Sequence, residues 1–192
     1  APDPARLAKE LLEPFGIDLA ILNPVHGASS HPNSYFAQAA CRAVNGWLAD
    51  TWLAKDDRLR GAISVPIQEP DMAVEEIHAR AADRRFVQVL FPVAGDVPFG
   101  RRQFWPIYRA AVEHDLPVAI HPGGGGRHPQ SYVGWHSTYA EDLFLQAGMI
   151  QGQLLSLIHE GVFQEFPELR VVILESGVSW LPAFMADTDN KW

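Results

Sequence analysis

The stretch Leu116-Pro117-Val118-Ala119-Ile120-His121-Pro122-Gly123-Gly124-Gly125-Gly126 decides how this chain reads. An apolar run of strand character ends in one histidine, then in a proline and four glycines. A parallel strand covered on both faces reads as a continuous apolar run. A polar ring at its carboxyl end costs free energy unless something there engages it. In barrels and open α/β sheets alike, ligands sit beyond the carboxyl ends of the strands. The glycines let backbone pass close to a metal or a substrate without side-chain clash. His121 is therefore the first candidate for chemistry. The plainer alternative is a histidine merely hydrogen-bonded at a strand end.

Working outward, four further runs have strand character: 17–22, 61–67, 86–92 and 171–175. Helical patterns lie between them. Asn33 or Ser34 caps one through Lys55, with Phe36, Ala40, Ala43, Trp47 and Leu48 at helical spacing. Asp71 is expected to cap Met72 to Arg80. Further helices are expected over 101–114 and 142–160, with another beginning at Val178. Strand and helix alternating predict an α/β fold with a parallel sheet and right-handed crossovers. Two architectures satisfy this. One is a complete five-stranded doubly wound sheet. The other is the middle of a (β/α)8 TIM barrel, which needs about 250 residues. The chain begins without Met and stops at Asp189-Asn190-Lys191-Trp192, inside a helical pattern with no Gly or Pro terminator. An incomplete barrel within a longer protein is the expectation. Its open strand edges predict self-association of the isolated stretch.

Composition narrows the classes. With 192 residues, 47% hydrophobic and 20% charged, the chain reads as a single soluble globular domain over 1–192. The net charge is −8 and no Lys/Arg-rich run occurs, so nucleic acid and anionic membrane are poor partners. No apolar segment reaches the ~20 residues of a membrane span. The single cysteine, Cys41, excludes a disulfide framework and points to a reducing, cytoplasmic compartment. It reads as a buried, inert thiol rather than a nucleophile.

In a parallel sheet all carboxyl ends lie on one side. The first strand delivers Asn23, Pro24, Val25 and His26 there; the second Gln68 and Glu69; the third Pro92 and Val93; the fourth His121; the fifth Glu175 and Ser176. Imidazole binds zinc and similar ions, and a neighbouring carboxylate ligates metal or moves protons. Glu175 has a plainer reading too, as an acid favoured by the dipole of a following helix. The loop after His121 carries Arg127, His128, Ser131, Tyr132, Trp135, His136, Ser137 and Tyr139. Long loops on this face are usually functional. This mixture of aromatics and donors suits a small planar organic acid or amide. Arg127 is placed to pair with a carboxylate, and Asn23, Trp135 and His136 are the other candidate substrate contacts. The alternative is that the loop's aromatics simply pack on the rim. His78, His114 and His159 read as surface or capping residues. No phosphate loop, dinucleotide fingerprint, nucleophile elbow or His-Glu-x-x-His motif is present.

Several segments taken together resemble the amidohydrolase-related family, in the branch that includes aminocarboxymuconate-semialdehyde decarboxylase. They are Gly46-Trp47-Leu48, Arg60 to Pro66, Phe86 to Leu90, Trp105-Pro106-Ile107-Tyr108, Leu116 to Gly124 and Glu160 to Arg170. The resemblance implies a metal-dependent (β/α)8 barrel, usually with zinc, performing hydrolysis or non-oxidative decarboxylation. His121 matches the family's metal-binding histidine at the end of the fifth barrel strand. Trp135 lies in the loop where a family tryptophan lines the substrate pocket. Glu175 stands where many members carry a proton-handling histidine beside the metal, and a glutamate there serves as base or supporting partner. The family's His-x-His pair on the first strand and its metal-binding Asp on the last have no counterpart in these residues. The chain therefore reads as about strands two to six. The parent is expected to be a homodimeric, metal-dependent hydrolase or decarboxylase acting on a small organic acid or amide. The competing expectation is a catalytically silent barrel fragment or binding domain without a complete metal site.

Overall fold

Five short strands form one parallel sheet whose order in space is their order in the chain. The structure is a computed structural model that describes residues 3–123, 129, 131 and 133–191. The strands are β1 (Ala20–Leu22), β2 (Leu59–Ser64), β3 (Phe86–Pro92), β4 (Val118–His121) and β5 (Val171–Ile173). The helices are α1 (Pro4–Leu7), α2 (Ser34–Leu48), α3 (Pro70–Ala81), α4 (Trp105–Glu113), α5 (Tyr139–His159), α6 (Val162–Glu165) and α7 (Leu181–Lys191). α1 and α2 each run on into a π-helical turn, Ala8–Leu12 and Ala49–Leu53.

Strand order separates the two architectures. A doubly wound sheet reverses direction at a switch point, so that helices cover both faces. Here the order never reverses. Right-handed crossovers then bring every connecting helix to one face. The packing agrees. Ile63, Val65, Val89, Phe91, Val118 and Ile120 join helix residues such as Ile77, Ile107 and Ala111 in one large core. Their pleat neighbours Ala62, Leu90 and Ala119 form a small separate cluster, with Val172 and Leu174 packed against it among the described residues. That inner face is the lumen side of a barrel segment, and the doubly wound alternative is excluded.

Register fixes what the lumen presents. Ser64, Leu90, Ala119 and Val172 pair in one row across four strands. Pro92 pairs with His121 one pleat nearer the carboxyl ends. Ala62 pairs with Gln88 one pleat further back. On the outer face Phe91, Phe99, Phe104 and Tyr108 make an aromatic knot, with Phe91 and Phe99 centroids 5.1 Å apart. The Tyr108 hydroxyl donates to Phe99 O at 2.6 Å, so its burial leaves no orphaned polar atom.

Three helix starts show the local chemistry. Asn33 Oδ1 accepts from Phe36 N–H at 3.0 Å and begins α2 as the sequence predicts. α3 begins at Pro70 with Glu69 at the cap, not behind Asp71, because proline's fixed φ suits the first helical position. α5 begins at Tyr139, three residues before the expected Asp142. Thr138 and Glu141 form a reciprocal capping box that sets this start. The last helix likewise starts at Leu181 rather than Val178. Among the described residues no helix is long and apolar enough to cross a membrane.

Candidate active site

His121 is the last residue of β4, and its side chain is 12% exposed. Its Nδ1 lies 2.7 Å from Pro122 O. A carbonyl only accepts, so Nδ1 carries a proton, and the neutral tautomer compatible with this contact has its lone pair on Nε2. Nε2 lies 3.5 Å from Glu175 Oε2. Glu175 lies two residues beyond β5 in the left-handed region, at φ 51°. A non-glycine residue there is strained by about 1–3 kcal/mol, and such strain concentrates at functional sites. The backbone turn brings the carboxylate back beside the neighbouring strand's imidazole. The imidazole nitrogen and the carboxylate oxygen thus converge, and a cation between or beside them, a second ring proton or a metal ion, satisfies both. His121 Nε2 fits a metal ligand, and Glu175 beside it fits a carboxylate that handles protons next to the ion. Among the described residues no group of three or more His, Cys, Asp or Glu side chains converges as a metal cluster.

Next to this pair is a cleft of about 160 Å³ lined by Pro24, Val25, His26, Ser29, Ser64, Leu90, Pro92, His121 and others. His26 joins it from the loop after β1. Ala28 N–H donates to His26 Nδ1 at 3.2 Å, and His26 Nε2 lies 3.2 Å from Ser64 Oγ. Burial lowers the pKa of the His26 ring from its ordinary 6.5. Beneath Ser64 lies a buried polar chain. Asn45 Oδ1 accepts from Ser64 N–H, and Asn45 Nδ2 donates to Ser64 O, both at 2.9 Å. Asn45 Nδ2 also donates to Glu76 Oε1 at 2.8 Å, and Arg80 Nε reaches the same oxygen at 2.8 Å. Helices α2 and α3 thereby clamp the carboxyl end of β2.

The other residues singled out from the sequence are placed as follows. Asn23 stands one residue before the cleft lining, with its Oδ1 accepting from Gln88 Nε2 at 2.7 Å. This puts it level with the Ala62–Gln88 row, deeper than His121. Trp135 and His136 line a separate surface pocket of about 340 Å³ with Ser131, Phe144 and Leu145. His136 Nδ1 is 3.6 Å from Asp142 Oδ1, beyond hydrogen-bond reach, and Trp135 is exposed. Arg127 lies outside the described residues, as do His128 and Tyr132. Of the cleft residues, His26 was placed on this face from the sequence but given no role, and Ser64 was passed over. His26 had a usable signal, since it closes the same strand-end run as Asn23. Ser64 had none, because its partners are 19 and 38 residues away.

The Amidohydrolase family profile (Amidohydro_2) matches residues 6–192. The chain belongs to the amidohydrolase family. Among curated relatives of this amidohydrolase is the gamma-resorcylate decarboxylase of Rhodococcus jostii (strain RHA1). It is 28% identical over 196 residues, covering 95% of this chain and 59% of the relative. The chain therefore spans well under two thirds of the curated relatives it matches. Among solved structures, 2,6-dihydroxybenzoate decarboxylase from Rhizobium superposes with a TM-score of 0.75 at 23% identity, over 94% of this chain and 58% of that one. The 5-carboxyvanillate decarboxylase of Novosphingobium aromaticivorans gives 0.76 at 25% identity, over 97% of this chain and 53% of that one. That structure holds manganese and 4-hydroxy-3-methoxy-5-nitrobenzoic acid. The five strands of this amidohydrolase are thus a segment of a TIM barrel, with His121 and Glu175 on the face where barrel ligands bind.

Proposed function

We propose that the protein is a divalent-metal-dependent, non-oxidative decarboxylase of a small aromatic acid. The observation that carries this is the convergence of His121 Nε2 and Glu175 Oε2 beside a largely apolar cleft of about 160 Å³. A cavity of roughly 150 Å³ with apolar walls holds one benzene ring. The chemistry of the named relatives supports the reaction class. The five strands are read as the second to sixth of eight in a single barrel domain.

His121 would hold the ion together with ligands outside these residues. When bound, a divalent ion polarises substrate oxygens and stabilises developing negative charge. Leu90 and Pro92 wall the ring and exclude water. Glu175 delivers a proton to the ring carbon that bears the carboxylate. The bond from that carbon to the carboxylate breaks, and carbon dioxide leaves. The Glu175 side chain is 70% exposed, so solvent returns its proton. Arg127, Asn23, Trp135 and His136 remain proposed substrate contacts. Zinc is the proposed ion on family resemblance, with manganese as the competitor because a relative's structure carries it. A cytoplasmic homodimer completes the proposal.

Product analysis tests the reaction. The intact protein is given a hydroxylated benzoate and, separately, an aryl amide and an aryl ester. Release of carbon dioxide with the decarboxylated ring supports the proposal. Cleavage of the amide or ester without decarboxylation overturns it in favour of hydrolysis.

A further inference from the structure

We infer that the Ser64 hydroxyl is the donor of an oxygen-recognition subsite in the cleft, taking a hydroxyl or phenolate oxygen of the ring substrate. This rests on the aromatic-acid reading above and adds a specificity-determining contact to it. The argument is one of hydrogen-bond polarity. Ala28 N–H points at His26 Nδ1, so Nδ1 must present a lone pair. A neutral imidazole then carries its one proton on Nε2, which is 3.2 Å from Ser64 Oγ. Ser64 Oγ accepts a hydrogen bond from that Nε2–H, and its own hydroxyl hydrogen is directed elsewhere.

The surroundings favour the cleft. Both backbone groups of Ser64 are bound to Asn45, whose amide is itself held on the buried Glu76. The backbone that carries the hydroxyl is therefore locked. Along its register row Ser64 is followed by Leu90 and Ala119, which offer no side-chain acceptor. Ser64, Leu90 and His121 all line the cleft. A buried hydroxyl facing an apolar wall favours a ligand that brings its own acceptor. A site built to hydrogen-bond a substrate oxygen discriminates against the analogue that lacks it.

The test compares 2,6-dihydroxybenzoate with benzoate by calorimetric titration of the intact protein, alongside Ser64→Ala and Ser64→Thr. The unaltered protein is expected to prefer the hydroxylated ligand. Ser64→Ala is expected to shrink that preference by about tenfold, the scale of one lost hydrogen bond, with benzoate affinity unchanged. Ser64→Thr, which keeps the hydroxyl, is expected to restore it. A preference that survives Ser64→Ala overturns the subsite and leaves the aromatic-acid reading standing. Binding of neither ligand overturns both. Nitrogen-15 spectra of the His26 ring supply a ligand-free check. The Nε2–H tautomer is expected, and the Nδ1–H tautomer would make Ser64 the donor to His26 and end the proposal.

Discussion

Asn45 joins a buried carboxylate to the backbone at the site: its Nδ2 donates both to Glu76 Oε1 at 2.8 Å and to Ser64 O at 2.9 Å. Glu76 is 1% exposed, yet it sits on an outer helix. A buried charge is tolerated only when paired and hydrogen-bonded. Arg80 pairs it, and Asn45 occupies the same oxygen. Asn45→Ala therefore strands the Ser64 backbone and strips a donor from Glu76. The expected loss is about 2–4 kcal/mol in denaturant unfolding. A loss under about 1 kcal/mol would show that water replaces the amide.

Glu175 combines a left-handed backbone with the proposed proton-handling role. Glycine at a left-handed position avoids about 1–2 kcal/mol of steric cost. Glu175→Gly is expected to raise stability by about 1 kcal/mol while removing turnover, a trade common at active sites. Glu175→Gln keeps the backbone and the shape, and turnover is expected to fall about 10²–10⁴-fold, the scale of lost acid–base catalysis. Unaltered turnover in Glu175→Gln would remove Glu175 from the reaction.

The His26 ring gives a pH signature. Its folded-state pKa lies below the ordinary 6.5 because burial disfavours the charged ring. Below 6.5 the unfolded chain takes up the proton first, so stability falls as pH falls through that window. His26→Gln, which cannot titrate, is expected to flatten the slope of unfolding free energy between about pH 5 and 7. An identical slope in variant and parent would place the titration elsewhere.

Gly100 lets two segments touch. Its N–H donates to Ser156 Oγ at 3.0 Å, and a Cβ there would overlap the Ser156 carbonyl oxygen on α5. Helix backbone does not yield as a side-chain tip does. Gly100→Ala is expected to cost about 1–3 kcal/mol, read as a lowered denaturant midpoint. A neutral result would show that α5 shifts freely against the loop after β3.

The strands were legible because buried parallel strands are nearly continuous apolar runs, as in Val118-Ala119-Ile120. Their curl did not follow from the alternation itself, although the family resemblance implied a barrel segment. Both architectures share the same alternation of elements, and only spatial order separates them. The start of α5 was written in Thr138-x-x-Glu141, a pattern passed over in favour of Asp142. In the site, His121 and Glu175 could be read because each closes an apolar run. Ser64 could not, since its role comes from a tautomer set by Ala28 and a backbone set by Asn45. Of the histidines read as surface or capping residues, His78 and His114 are exposed and their Nδ1 and Nε2 are 2.8 Å apart, tying α3 to the end of α4.

Metal content per chain, measured by elemental analysis on the intact protein and on His121→Ala, tests the central claim most directly. The account predicts a near-stoichiometric divalent ion in the unaltered protein and its loss in the variant. An unaltered protein without metal, or a variant that retains it, would contradict the assignment of His121 as a ligand.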